Sequence, residues 1–453
     1  MAHLIAAIAT PAQPSAIGIV RLSGEGCFDA LGAVFRPRGG REVSQLPDRK
    51  LTLGTLVDGE GRVLDECLAT VSRGPGSYTG EDTAELQCHG SPAVLSAALE
   101  ALFRAGARQA GPGEFTRRAF LNGRMDLSQA EAVIDLIEAQ TAMAARNAAG
   151  QLSGALRTRI EPIYDGITDI LAHFHAVLDY PDEEIPAFQL SAFRQELAGY
   201  ADTLAALERS YGRGQYLKTG VPAVILGSPN AGKSSLLNAL AGYDRVIVTD
   251  IPGTTRDTVE EAVNLGGHLV RLTDTAGIRD TADAIEAMGV ERSVAAARQA
   301  QLAIFVCDGS RPLTEEDRTA MAEAKKAPLQ LAVINKSDLS LCVTEKELPF
   351  DTVITLSAKE GQGMDALEDA VAKLLRQDAP ADGSILTNTR QLSAVQAASR
   401  CLSQLLQSLD DGFTPDAVLV DAEGALEALG EITGRAMREE VVSRIFARFC
   451  VGK

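Results

Sequence analysis

The stretch Gly227-Ser-Pro-Asn-Ala-Gly-Lys233-Ser234 follows directly on the apolar run 221–226 and leads directly into Ser235-Leu-Leu-Asn-Ala-Leu240. A buried strand, a glycine-rich loop and an amphipathic helix in that order make a phosphate-binding P-loop. The glycines let backbone N–H groups turn inward around phosphate oxygens, at the positive end of the helix that follows. Lys233 then reaches the β- and γ-phosphates and the Ser234 hydroxyl meets Mg²⁺, with Asn230, Ala231, Gly232 and Ser235 completing the cradle.

Further motifs follow in the order such a domain requires. Asp274-Thr275-Ala276-Gly277 ends the strand-like run 269–273. There Asp274 suits the water shell of Mg²⁺ and the Gly277 N–H suits the γ-phosphate. Asn335-Lys336-Ser337-Asp338 ends the run 331–334. An ionised carboxylate only accepts hydrogen bonds, so Asp338 matches the paired N1–H and N2–H donors of guanine and selects GTP over ATP. Ser357-Ala358-Lys359, after the strand-like run 352–356, fits a loop whose backbone covers the base from the other side. Together these motifs define a GTP-binding domain.

The loop from Val248 through Thr249, Asp250, Ile251, Pro252, Gly253, Thr254 and Thr255 to Asp257 reads as switch I, with Thr255 placed to close on Mg²⁺ and the γ-phosphate. Pro252 restricts that loop. Many small GTPases carry a Gln after Asp-x-x-Gly to orient the attacking water. Here the residue is Ile278, and no single arginine stands out as a built-in finger. Glu286, in the segment 279–288, is a candidate general base or water holder. The alternative is that it is one solvated carboxylate among Asp280, Asp283 and Glu286. The Asn230 amide oxygen, with switch I carbonyls and a hydroxyl, suits a monovalent cation beside the phosphates, where an arginine finger would otherwise stand.

At 453 residues the chain has room for two or three domains. It shows no apolar run of membrane-spanning length, and its start lacks a signal-peptide n-region. The seven cysteines form no C-x-x-C, as expected of reduced thiols in a cytoplasmic protein. His173 and His175 fall on different faces of a helical stretch, which disfavours a metal pair. A net charge of −18 opposes tight RNA binding by the chain alone, so RNA is expected to be shared with a partner, local patches such as Arg117, Arg118 and Arg124 notwithstanding.

The periodicity divides the chain. Residues 1–120 carry β-like runs at 4–9, 17–22 and 67–72 and a helical stretch at 94–105, an α+β pattern. Helical texture occupies 121–215, opening on a capping-box sequence Ser128-Gln-Ala-Glu131 and including Phe193, Leu197, Tyr200, Leu204 and Leu207 at heptad-like spacing. The α/β GTPase region covers 216–380, and helical texture returns over 381–453 with Leu392, Val395, Leu402, Leu405 and Leu409. The expected fold is multidomain α+β and α/β, with an N-terminal α+β domain and one helical domain into which a Ras-like P-loop GTPase domain is inserted.

The sequence closely resembles the MnmE (TrmE) family of bacterial tRNA modification GTPases. The resemblance runs nearly end to end, through Ile8-Ala-Thr-Pro11, Gly18-Ile-Val-Arg21-Leu-Ser-Gly24, Ser77-Tyr-Thr-Gly-Glu-Asp82, Gly113-Glu-Phe and Arg118-Ala-Phe-Leu-Asn-Gly-Arg124. It continues in Asp126-Leu-Ser-Gln-Ala-Glu131, Asp179-Tyr-Pro-Asp-Glu-Glu-Ile185, Leu429-Gly-Glu-Ile-Thr-Gly434 and Arg444-Ile-Phe-Ala-Arg-Phe-Cys-Val-Gly-Lys453. The resemblance implies a homodimer whose N-terminal domain binds 5-formyltetrahydrofolate or a related one-carbon derivative and dimerises. It implies folate contacts at Arg21, Glu85, Arg124 and Lys453, K⁺ ligands at Asn230, Thr249, Ile251 and Thr254, Mg²⁺ at Ser234 and Thr255, and a catalytic carboxylate at Glu286 with Asp283 as the fallback. It also implies pairing of two GTPase domains across switch I, and a heterotetramer-type complex with the FAD-dependent flavoprotein MnmG (GidA), which brings the only FAD. The implied reaction places a carboxymethylaminomethyl or aminomethyl group on the wobble uridine of certain tRNAs. Cys450 falls on the family's terminal cysteine, with a role in either catalysis or site architecture. The rival class, a ribosome-assembly or regulatory GTPase switch, usually carries an RNA-binding appendage that this acidic sequence does not show.

Overall fold

The structure is a computed structural model that describes residues 3–179, 190–243, 260–273, 300–375, 382–411, 415–436 and 439–452. It divides into two compact units, one of residues 1–134, 157–201 and 394–453, the other of 135–156 and 202–393.

The first unit is built on a seven-stranded sheet of β1 (Ile5–Ile8), β2 (Ser15–Ser23), β3 (Phe35–Pro37), β4 (Thr52–Val57), β5 (Val63–Ser72), β6 (Thr83–Gly90) and β7 (Arg108–Gln109), in the order β3-β4-β5-β6-β2-β1-β7. Only the β1–β7 pair is parallel. Strand alternation sorts the two faces. Val20, Leu22, Ala84, Leu86 and Cys88 point into a core shared with α1 (Cys27–Val34) and α2 (Pro92–Arg104), which supply Leu31, Val34, Leu95 and Leu102. Gly18 is required where α2 comes closest, since a Cβ there would overlap the Leu95 side chain. The alternate residues Arg21 and Glu85, paired directly across β2 and β6, fall on the opposite face.

The sequence expectation of β-like runs and a helix in this region is met by β1, β2, β5 and α2, while β3, β4, β6, β7 and α1 are additions. After α3 (Glu114–Leu121), α4 (Leu127–Ile137) begins one residue before the expected cap. Asp126 is the true N-cap. Its Oδ1 accepts from Gln129 N at 2.9 Å and from Ser128 Oγ at 2.7 Å, and Gln129 Oε1 accepts from Asp126 N at 2.9 Å. The capping box is therefore Asp126–Gln129, and Ser128 and Glu131 are buried inside the helix.

Helices follow. α5 is Ala142–Leu152, α6 is Ala155–Asp179 and α7 is Leu190–Thr219. Within the first unit, α6 buries Ile160, Ile163, Ile167, Ile170 and Phe174, and α7 buries Leu197 at the expected spacing. Gly166 lets the two approach, because a Cβ there would strike Tyr200. His173 packs on Phe193 at 5.8 Å between ring centroids while His175 is exposed, and no cluster of potential metal ligands exists among the described residues.

The second unit holds a six-stranded sheet of β8 (Val221–Leu226), β9 (Glu260–Leu265), β10 (His268–Thr273), β11 (Leu302–Asp308), β12 (Leu329–Asn335) and β13 (Val353–Thr355), ordered β13-β12-β11-β8-β10-β9. All pairs are parallel except β9–β10. This is the Ras-like order. Its direction of winding reverses at β8, so the crevice that takes ligands in such sheets opens beyond the carboxyl end of β8. Two apolar layers cover the faces. One includes Leu236, Leu240, Met364, Leu367 and Val371 from α8 (Lys233–Tyr243) and α10 (Met364–Leu375); the other includes Phe305, Ala324 and Leu348, with Ala324 from α9 (Glu315–Ala324). In the same unit α5 docks on residues 382–386, with Gln151 Nε2 donating to Ile385 O at 2.6 Å and Gly383 N to Asn147 Oδ1 at 3.2 Å.

The remaining helices are α11 (Thr389–Asp410), α12 (Pro415–Thr433) and α13 (Glu439–Phe446). Val395, Leu402 and Leu405 of α11 are buried, and Arg194 of α7 holds Asp410 through both oxygens at 2.6 and 3.0 Å. Among the described residues no helix is long and apolar enough to cross a membrane, and all seven cysteines are free.

Candidate functional site

β8 delivers the chain to the switch point, and the loop 227–232 turns there into α8. Two glycines are obligatory in that turn. A Cβ on Gly227 would overlap the Val306 carbonyl, and one on Gly232, whose φ is +97°, would overlap the Asn335 amide. Asn230 has a φ of 57°, a left-handed conformation that Asn tolerates better than most residues. Lys233 folds back so that Nζ donates to the Gly227 and Ser228 carbonyls, both at 2.9 Å. Asn230, Ser234 and Ser235 are exposed at the helix mouth, while Ala231 is buried.

The guanine-type motif closes on this loop. Asn335, at the end of β12 and 2% exposed, donates through Nδ2 to Ala231 O at 2.9 Å and accepts at Oδ1 from Ala358 N at 3.0 Å. One side chain thus ties the phosphate loop to the loop 357–359. Ser357 Oγ donates to Asp338 Oδ1 at 2.6 Å. That hydrogen bond, aided by the Lys359 and Lys336 charges, holds the exposed Asp338 carboxyl below its usual range, ionised and accepting only. Lys336 has a φ of 65° and donates from Nζ to Asp308 Oδ2 at 2.6 Å. Burial works against ionisation of Asp308, but Lys336 and Ser310 outweigh it and lower its pKa.

The sequence expectations for Asn230, Ala231, Gly232, Lys233, Ser234, Ser235, Asn335, Lys336, Asp338, Ser357, Ala358 and Lys359 thus fall in one place. Thr249 to Thr255, Asp274 to Gly277 and Glu286 lie outside the described residues. The available donor set fits Mg²⁺ and K⁺ in kind, since the Ser234 hydroxyl and Asn230 amide offer hard oxygen atoms beside a glycine cradle. Asp308 and Arg311 were not anticipated. Their only signal is position, an Asp closing the apolar strand 302–307 with an Arg three residues on.

A second cluster lies on the open face of the N-terminal sheet. Arg21 Nε pairs with Glu85 Oε1 at 2.8 Å, and Nη1 donates to Gly452 O at 3.3 Å. The guanidinium lies over the Tyr78 and Phe115 rings at 5.8 and 5.7 Å. Burial pushes the Tyr78 phenol up, against the pull of Thr116 and Arg21. The chain end reaches this place because Val451 bridges Pro112, Gly113 N donates to Cys450 O at 3.2 Å, and Phe446 packs on Phe120 and Phe449 at 6.2 and 5.2 Å. Cys450 is exposed. Arg124 is exposed and lies against Gly80, while Glu85 is paired with Arg21. Lys453 lies outside the described residues.

Of Arg117, Arg118 and Arg124, Arg124 is exposed and Arg117 is half-buried. Arg118 is 8% exposed and is consumed by Glu81 at 2.8 Å and Glu114 at 3.0 Å.

Residues 4–124 match the family model described as the GTP-binding protein TrmE N-terminus, and residues 127–450 match that of the MnmE helical domain. The tRNA modification GTPase MnmE of Symbiobacterium thermophilum is 44% identical, covering 99% of each chain. That of Carboxydothermus hydrogenoformans is 41% identical, covering 100% of each. Among solved structures, the G domain of the T. maritima FeoB iron transporter overlays 34% of this chain and 99% of its own at 24% identity with a TM-score of 0.27, too slight a likeness to bear on the site. With one family model spanning most of its length and relatives of this identity from end to end, the chain belongs to the MnmE family of tRNA modification GTPases.

Proposed function

We propose that this chain is a potassium-activated GTPase that converts GTP to GDP and phosphate and, with the flavoprotein MnmG, adds a carboxymethylaminomethyl or aminomethyl group at C5 of the wobble uridine of certain tRNAs. The reaction uses one carbon unit carried by a bound tetrahydrofolate derivative, 5-formyltetrahydrofolate or a related form. The observation that carries this reading is the end-to-end similarity to proteins named tRNA modification GTPases; the joined phosphate and guanine loops support the GTPase part.

In this reading Lys233 exchanges its contacts with the Gly227 and Ser228 carbonyls for phosphate oxygens. Asp338 accepts from the guanine edge, and Asn335 keeps the two loops in register. Glu286 positions the attacking water. Ser234 and Thr255 would hold Mg²⁺, and Asn230, Thr249, Ile251 and Thr254 would hold K⁺; these ions would supply positive charge against the phosphates. Arg21, Glu85, Arg124 and Lys453 hold the folate, the cations meeting its carboxylate and carbonyl groups and Glu85 its amino edge. The protein acts as a cytoplasmic homodimer with domains at 1–120, 121–215, 216–380 and 381–453. It shares its tRNA with MnmG, consistent with a net charge of −18.

Asn230→Ala tests the ion assignment. Stimulation of turnover by K⁺ should disappear while GTP binding persists, and stimulation equal to the parent's would remove Asn230 from the ion site.

A further inference from the structure

Asp308 and Arg311 stand beside the nucleotide loops outside the nucleotide-reading motifs, and Asp317 closes the capping box of α9. Arg311 Nη2 donates to Ser228 Oγ at 2.9 Å. Ser228 is the second residue of the phosphate loop and is 3% exposed. The same guanidinium donates through Nη1 to Asp317 Oδ2 at 2.9 Å. Asp317 is buried, and its Oδ2 also caps α9 by accepting from Thr314 N and Thr314 Oγ1 at 2.9 and 2.8 Å. On its third side, Arg311 Nε stands 3.9 Å from Asp308 Oδ2, the atom that takes Lys336 Nζ of the guanine motif at 2.6 Å. One arginine therefore hydrogen-bonds the phosphate loop and the cap of α9 and stands in ion-pair range of the carboxylate that anchors the guanine loop.

We infer that Arg311 is a positioning residue for nucleotide binding, fixing the start of the phosphate loop through Ser228 and coupling it to the guanine loop through Asp308. This rests on the reading of the loop 227–234 as a GTP site. A planar guanidinium can serve a hydroxyl and two carboxylates at fixed angles, whereas the point charge of a lysine cannot span them. Ser228 makes the contact through its hydroxyl, so the loop beneath the phosphates is held before the ligand arrives. Such preorganisation strengthens binding without entering the chemistry. Asn335 joins the same loops at Ala231, so Arg311 forms a second, independent tie at the other end of the phosphate loop.

The experiment is an equilibrium titration of the full chain with a fluorescent GDP analogue, paired with GTP turnover at saturating substrate and a melting curve. The variants are Arg311→Ala, Arg311→Lys, Ser228→Ala, the double variant Ser228→Ala/Arg311→Ala, and Lys233→Ala as the reference for the site. Arg311→Ala should raise the Kd for GDP and the KM for GTP about tenfold with kcat within about twofold of the parent, the scale of one charge-assisted hydrogen bond. Arg311→Lys should recover only part of that loss. The double variant should lose less than the sum of the two single losses, because Ser228 and Arg311 share one contact while Ser228 keeps a second partner in Asp317. A Kd within about twofold of the parent in folded Arg311→Ala, or a lowered melting temperature with unchanged Kd, overturns the inference. Should Arg311→Ala fail to fold, Ser228→Ala and Arg311→Lys decide it by the same two readings. If Lys233→Ala binds GDP as well as the parent, the GTP-site reading itself fails, a result distinct from failure of the Arg311 assignment alone.

Discussion

Asp338 does its work with lone pairs. Ser357 donates to one of its oxygens, nearby lysines keep it ionised, and guanine is the base that presents paired N–H donors to such a group. Asp338→Asn would turn an amide N–H₂ toward a guanine amino group, donor against donor. GTP affinity should fall by about a hundredfold or more, while xanthosine triphosphate, with a carbonyl in place of the amino group, gains. Competition of the two nucleotides against a labelled GDP checks this; an unchanged preference would mean that Asp338 does not read the base. At this scale the guanine loops were legible in the sequence because their chemistry sits in short, contiguous motifs. Arg311 and Asp308 were not, since their partners Ser228 and Lys336 lie 83 and 28 residues away and only the fold unites them.

Among the elements, α3 shows how charge placement sets the response to acid. Glu114 opens the helix, where the macrodipole favours an anion. Burial raises its pKa, but Arg108, the Gly111 N–H and Arg118 overcome that and bring it to about 2. A carboxyl depressed in the folded state stabilises the fold above its unfolded pKa, and that contribution is lost as pH falls from about 4.3 toward 2. Glu114→Gln should therefore cost about 2 kcal/mol at pH 7 and flatten the acid limb of the stability curve. Denaturant titrations at pH 7 and pH 3 measure both; equal losses at the two pH values would contradict the ionised role.

Element boundaries were legible where apolar residues dominate, as in β8, β10 and β12. β6 was missed because its buried positions Ala84, Leu86 and Cys88 alternate with Glu85, Gln87 and His89, and Ala and Cys carry little strand signal. The cap of α4 was misplaced by two residues because Asp126 and Ser128 are both able caps and lie two apart.

Across the molecule, the longest-range hydrogen bond among the described residues is Arg21 Nη1 on Gly452 O, spanning 431 residues. No local pattern could announce it; the family resemblance implied folate contacts at Arg21 and Lys453, at the two ends of the sequence. Gly452 has a φ of +99° and lies against the Ile8 carbonyl and Ala9, leaving no room for a Cβ. Gly452→Ala should displace the chain end from Arg21 and weaken 5-formyltetrahydrofolate binding about tenfold or more. GTP hydrolysis should remain within about twofold of the parent. Calorimetric titration with the folate and a turnover assay separate the two, and intact folate affinity would detach the chain end from that site.

GTP turnover by the purified chain in KCl and in NaCl, across protein concentrations, reports on the proposed K⁺ site and on the pairing of GTPase domains at once. Turnover stimulated strongly by K⁺, with the stimulation rising as protein concentration rises, is the expected result. Equal, slow rates in both salts at every concentration would contradict it and point to a switch that awaits an external activator.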